Sequence, residues 1–96
     1  MAKSGATLYV IAYDIPSDKR RTKLHKMLSG YGQWTQFSLF ECYLTEKEYL
    51  RLRQRIDQHL NPQQDSVRFY PLCAACEGKV ETVGGARPNE PILYIV

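Results

Sequence analysis

The sequence is poor in the residues that staple or cage a fold. It holds three cysteines and two histidines in 96 residues. An odd cysteine count with no secretory framework around it excludes a disulfide scaffold. Met1 to Ala6 has no apolar signal core and no cleavage site. The longest strongly apolar run is about nine residues, too short to span a bilayer. These absences point to a cytoplasmic protein with reduced thiols and no membrane partner. No Gly-rich phosphate loop, internal repeat or low-complexity tract is present. Acidic residues are missing from one stretch: between Lys19 and Lys26 there are five Lys/Arg and one His, with no acid.

What remains is an ordinary globular composition, 44% hydrophobic and 24% charged, in a chain long enough for one domain and not two. A domain this small buries a limited share of its surface, so self-association would help it. The net charge of +3 is too small to name a partner. The cluster from Lys19 to Lys26 says more, because such a run attracts phosphate or another polyanion. Seven tyrosines, three phenylalanines and one tryptophan supply core, interface or stacking surface.

Thr7 to Ile15, TLYVIAYDI, is β-branched and aromatic on both faces, the pattern of a central buried strand. Pro16 ends it and Ser17 is placed to cap a helix. Leu24, Met27, Leu28 and Tyr31 form its apolar stripe, and Gly30 and Gly32 the stop. Gln33 to Leu44 is strand-like, as one bent strand or two short ones. Thr45 and Glu48 form a capping box, with Leu44 and Tyr49 placed as a hydrophobic staple. The helix it opens runs to about Leu60, with Tyr49, Leu52, Ile56 and Leu60 inward, and Asn61-Pro62 breaks it. Ser66 to Cys73 reads as a strand and Val80 to Val83 as a short further one. Gly84-Gly85 and Pro88 to Pro91 read as a linker before a final strand, PILYIV.

This order predicts an α+β fold: a ferredoxin-like βαββαβ sandwich with both helices on one face and an extra C-terminal strand. Residues 1–83 form the domain, and residues 84–96 the linker and the C-terminal strand. A flat apolar strand left at an open edge invites aggregation. Packing it on a second copy removes the hazard, so a homodimer is expected.

Asp14 stands where the first strand ends. A carboxylate there suits a hard divalent cation such as Mg²⁺, which is often held by one or two carboxylates with waters and phosphate oxygens. It equally suits a turn aspartate accepting backbone N–H groups. No second acid lies at a motif spacing, so a metal site would have to be shared across a two-fold axis. Lys19, Arg20, Arg21, Lys23 and Lys26, with His25, are candidate phosphate contacts on the first helix, or a solvated helix face. Phe37 and Phe40, beside Ser38 and Glu41, suit base stacking if exposed and core packing if not. Ser38 has no matched His–Asp set. Cys73 and Cys76 form a lone C-x-x-C. Only Cys42, His25 and His59 remain to complete a zinc site, and Cys73 looks like a strand end, whereas a redox motif should open a helix.

With these residues in hand, the chain resembles the CRISPR-associated protein two family, the small partner of the integrase subunit in spacer acquisition. The resemblance is carried by YVIAYDI, the basic D-K-R-R-T-K helix, Y-G before Q-F-S-L-F-E, and S-V-R-F-Y-P-L, over most of residues 8 to 73. It implies a ferredoxin-like fold and a symmetric homodimer whose C-terminal strand packs on the partner's sheet. It implies a metal-dependent endonuclease acting on RNA or DNA, with Asp14 as the metal-associated carboxylate near the dimer axis. Tyr13, Arg21 and Phe40 fall at positions linked to catalysis or substrate contact, and Arg20 is considered with them. Lys23 stands where relatives often carry Arg; it keeps the charge and loses the bidentate fork. The resemblance also implies a second role, bridging integrase dimers while holding duplex DNA by its backbone. Residues Cys73 to Val83 match nothing in it. Two other readings remain beside it: a ribonuclease toxin of a toxin–antitoxin pair, and a metal-free RRM-like nucleic-acid binder.

Overall fold

The computed structural model describes residues 5–84. Within them the chain runs β1 (Thr7–Asp14), α1 (Asp18–Ser29), β2 (Gln33–Gln36), β3 (Leu39–Leu44), α2 (Glu46–Asp57), β4 (Ser66–Leu72) and a short α3 (Ala74–Glu77). The four strands form one antiparallel sheet in the order β2-β3-β1-β4. That is the expected ferredoxin-like topology, with α1 and α2 packed on one face. The expected C-terminal strand, Ile92 to Val96, lies outside the described residues.

β1 is central because both its edges are paired: Ile11 faces Phe40 of β3 on one side and Phe69 of β4 on the other. The pleat sends Ile11 and Tyr13 toward the helices, where they join Leu24, Met27 and Leu28 of α1, Phe40, Cys42 and Leu44 of β3, and Leu52 and Ile56 of α2 in one core. Leu8, Val10, Ala12 and Asp14 point to the opposite face.

The segment from Gln33 to Leu44 is two strands. Trp34 pairs with Phe40 and Gln36 with Leu39, and the register slips at Thr35. The reversal at Phe37-Ser38 places Phe37 at φ +41°, left-handed for a residue with a side chain. Gly32 is required ahead of the hairpin for a different reason. A Cβ there would sit 2.4 Å from both the Cys42 sulfur and the Glu41 carbonyl.

Both helix starts form as their sequences dictate. The Ser17 hydroxyl accepts from the Arg20 N–H at 3.2 Å. Thr45 and Glu48 complete the capping box, with the Glu48 N–H on Thr45 Oγ1 at 3.2 Å and the Thr45 N–H on Glu48 Oε1 at 2.9 Å. α2 ends at Asp57, short of Leu60, because its last turn tightens: Gln58 and His59 donate to Arg55 and Ile56 carbonyls three residues back. Two expectations are corrected. Val80 to Val83 is exposed irregular chain, not a strand. Cys73 does not close a strand; it caps α3, its sulfur accepting from the Cys76 N–H at 3.3 Å. α3 is tied to the face of the sheet opposite α1 and α2 by the Tyr43 hydroxyl, which donates to the Glu77 carboxylate.

Candidate nucleic-acid interface and the carboxylate at the sheet end

Tyr13 and Asp14 are neighbours in sequence and face opposite sides of the sheet. Asp14 is exposed at the C-terminal end of β1, opposite Ser66 of β4. Its side chain makes no hydrogen bond or ion pair within the described residues, so the turn-aspartate role is not the one it takes. Among the described residues no three His, Cys, Asp or Glu side chains gather to hold an ion. Asp14 on its own suits Mg²⁺, which keeps most of its waters, and does not suit a closed protein cage.

Tyr13 turns inward, only 7% exposed. Its hydroxyl lies 3.4 Å from His25 Nδ1. Burial raises the pKa of the phenol, and the Arg21 charge offsets part of that rise. At neutral pH Tyr13 is therefore a neutral hydrogen-bonding group and not a phenolate nucleophile. Phe40 is fully buried under His25, ring centroids 5.1 Å apart. The structure thus separates the expected catalytic set. Asp14 reaches solvent, Arg21 and Tyr13 border a cleft, and Phe40 lies fully buried in the core.

The basic cluster on α1 also divides. Lys19, Lys23 and Lys26 are exposed and make no ion pair within the described residues. They follow one another at spacings of four and three, which puts them on one face of the helix. Arg20 is engaged elsewhere, with its guanidinium on the Asp65 carboxylate through Nε at 2.7 Å and Nη2 at 3.1 Å. Arg21 folds back over the β1–α1 turn. Its Nη1 donates to the Ile15 carbonyl at 2.8 Å and its Nη2 to Asp18, so a cation is held one residue beyond Asp14.

A cleft of about 410 Å³ opens beside this cation, lined by Tyr13, Arg21, Thr22, His25, Trp34, Phe37 and Ser38. Trp34 and His25 have no signal in the sequence that joins them. The hairpin register brings Trp34 against α1, and only the fold shows it. The C-x-x-C opens a helix after all, with both thiols exposed. Donation to its sulfur from the Cys76 N–H and from the Cys76 thiol lowers the pKa of Cys73, while that of Cys76 rises. Cys42 lies in the core, on a different element.

Comparison with known proteins gives a consistent result. The family model described as CRISPR associated protein Cas2 matches residues 7–80. A protein of Synechocystis sp. named CRISPR-associated endoribonuclease Cas2 3 is 51% identical over 84 residues, 88% of this chain and 91% of its own. One of Thermus thermophilus named CRISPR-associated endonuclease Cas2 2 is 46% identical over 80 residues, 83% of this chain and 84% of its own. Among solved structures, a chain of a partial Cas6-RT-Cas1–Cas2 complex superposes with a TM-score of 0.71 at 28% identity, covering 88% of this chain and 97% of that one.

Proposed function

The chain belongs to the CRISPR-associated Cas2 family, and from that premise we propose that it is the nuclease-fold subunit of a spacer-acquisition module. In this reading it is a homodimer that holds the phosphate backbone of RNA or duplex DNA and docks on the integrase subunit. The observation that carries the reading is the juxtaposition at the end of β1. An exposed carboxylate, Asp14, with no side-chain partner among the described residues, lies one residue from the carbonyl that anchors the Arg21 cation, and the Lys19, Lys23 and Lys26 face follows on the same helix as Arg21.

Each residue then has a physical task. The three lysines neutralise successive phosphates without reading bases. Arg21, fixed by the Ile15 carbonyl, sets a positive charge beside the scissile group. Asp14, paired with its copy across the two-fold axis, supplies the oxygen ligands for Mg²⁺ or another divalent cation. When bound, such a cation supplies Lewis-acid polarisation of a phosphate oxygen and lowers the pKa of a bound water. Relatives named as an endoribonuclease and an endonuclease support phosphodiester cleavage as the chemistry. A solved Cas1–Cas2 assembly supports the integrase partner.

The test is cleavage of labelled RNA and DNA with added Mg²⁺, with chelator, and by Asp14→Asn. Loss of cleavage with chelator and in the variant, with dimer and backbone binding retained, supports an enzyme. Absence of cleavage by the wild type, with normal DNA binding and integrase docking, reduces the role to bridging. Full cleavage by Asp14→Asn in a contaminant-free preparation overturns the site.

A further inference from the structure

The cleft between α1 and the β2–β3 hairpin has a composition that backbone binding does not need. Trp34 is 45% exposed and Phe37 87% exposed, and both rings border the same opening. Trp34 is held in place: its indole N–H donates to the Phe37 carbonyl at 2.8 Å, and His25 packs edge-on against it at 6.3 Å. With its donor satisfied inside the protein, the indole has only its face to offer. Phe37 carries two costs, a left-handed backbone at φ +41° and a solvent-exposed apolar ring. Gly or Asn would take that turn position at lower cost. Strain held at an exposed aromatic points to function. The polar groups of the cleft are neutral or cationic: Arg21 at one end, then Thr22, Ser38, His25 and the Tyr13 hydroxyl. Its volume lies within the range of small-ligand sites, roughly 300–1,000 Å³.

Resting on the nucleic-acid reading above, we propose that this cleft binds one unpaired nucleobase of a single strand. The base stacks on Trp34 and Phe37, its edge meets the hydroxyls of Thr22 and Ser38 and the imidazole of His25, and its phosphate lies toward Arg21. Every base has a π-face, so the site tolerates sequence while it selects unpaired strands over duplex. The lysines of α1 hold the backbone of either form. The aromatic cleft distinguishes a frayed or single-stranded end from a paired one.

Trp34 is the only tryptophan of the chain, so its fluorescence reports on this cleft alone. The full-length protein is titrated with an oligothymidylate, with an abasic oligomer of the same length and with a blunt duplex, and total binding is followed by anisotropy. Saturable quenching of Trp34 by the base-bearing strand, and none by the abasic one, is expected. The affinity ratio of base-bearing to abasic strand should fall about tenfold in Phe37→Ala and return in Phe37→Tyr. Single-strand binding without Trp34 quenching, or an unchanged ratio in Phe37→Ala, overturns the base site and leaves the backbone reading standing. Quenching by the integrase subunit in place of any oligonucleotide makes the cleft a protein interface and likewise overturns it. Failure of all three nucleic acids to bind removes both readings together.

Discussion

Arg20 and Asp65 lie 45 residues apart and meet in a two-pronged ion pair, with Arg20 Nε 2.7 Å and Nη2 3.1 Å from the two carboxylate oxygens. The Asp65 side chain is fully buried, and its Oδ2 also accepts the Asn61 N–H at 2.9 Å. The pair therefore pins α1 to the loop between α2 and β4.

Removing one partner of such a pair leaves a buried charge without its counter-ion. Arg20→Gln should lower the thermal midpoint by roughly 5 °C or more while the salt dependence of nucleic-acid binding stays nearly as it was. The Arg20 hydrogen bonds hold the Asp65 carboxyl below the usual carboxylate range, against the cost of its burial. A depressed folded pKa contributes stability that is fully present above the ordinary value of about 3.9 and is lost as pH falls through the folded value. In Arg20→Gln the acid unfolding transition should move to higher pH. Calorimetry from pH 2 to 7 reads both effects, and an unshifted acid transition would show that the pair carries no such linkage.

The C-x-x-C makes a second prediction. With its pKa lowered by donation from the Cys76 N–H and thiol, Cys73 has more thiolate at neutral pH than Cys76, whose pKa is raised. Brief treatment with an alkylating agent at pH 7 should label Cys73 first, Cys76 next and core-buried Cys42 last. Peptide mapping by mass spectrometry gives the order. Equal labelling of Cys73 and Cys76 would mean that the helix-capping geometry does not persist in solution.

Much of this fold is legible in local chemistry. The TLYVIAYDI run, the Thr45–Glu48 box and the Leu52–Ile56 stripe each specify one element through its own period or cap. Element ends that depend on tertiary packing are not legible in that way. A C-x-x-C after a strand has the same sequence whether the strand runs on or a helix begins, and only the tie from Tyr43 to Glu77 shows where that segment folds. At the site, Asp14 and the lysines stand out because charge and position are local properties. The separation of Tyr13 from Asp14, the burial of Phe40 and the placement of Trp34 beside His25 follow from pleat and register across three strands. The engagement of Arg20 with Asp65 needs a partner from a distant loop, which no spacing rule supplies.

The exposed α1 lysines should dominate the salt response. Removing one phosphate-neutralising charge reduces the slope of log affinity against log salt by about one. Lys19→Gln, Lys23→Gln and Lys26→Gln, made singly and together, should flatten the slope in steps and weaken binding equally across unrelated sequences. Filter binding at several salt concentrations measures this. A triple variant with the wild-type slope would place the phosphates on another face of the molecule.

The arrangement of Asp14 leads to a test of whether two chains build one site. At the end of β1 each chain presents the exposed Asp14 carboxylate, and no set of three potential ligands forms among its described residues. If a productive site needs both copies, a dimer carrying one Asp14→Asn chain is as inactive as the double variant. Wild-type and Asp14→Asn chains are mixed in varying proportion, unfolded and refolded together so that dimers form at random. Cleavage should then follow the square of the wild-type fraction. If each chain works alone, cleavage falls in direct proportion to that fraction. Tagged chains isolate the mixed dimer and give the same answer without fitting a curve: near-zero activity for a shared site, half activity for independent ones. Half activity would separate the two carboxylates and place a complete site within each chain, which would then have to draw its remaining ligands from residues other than Asp14 of the partner.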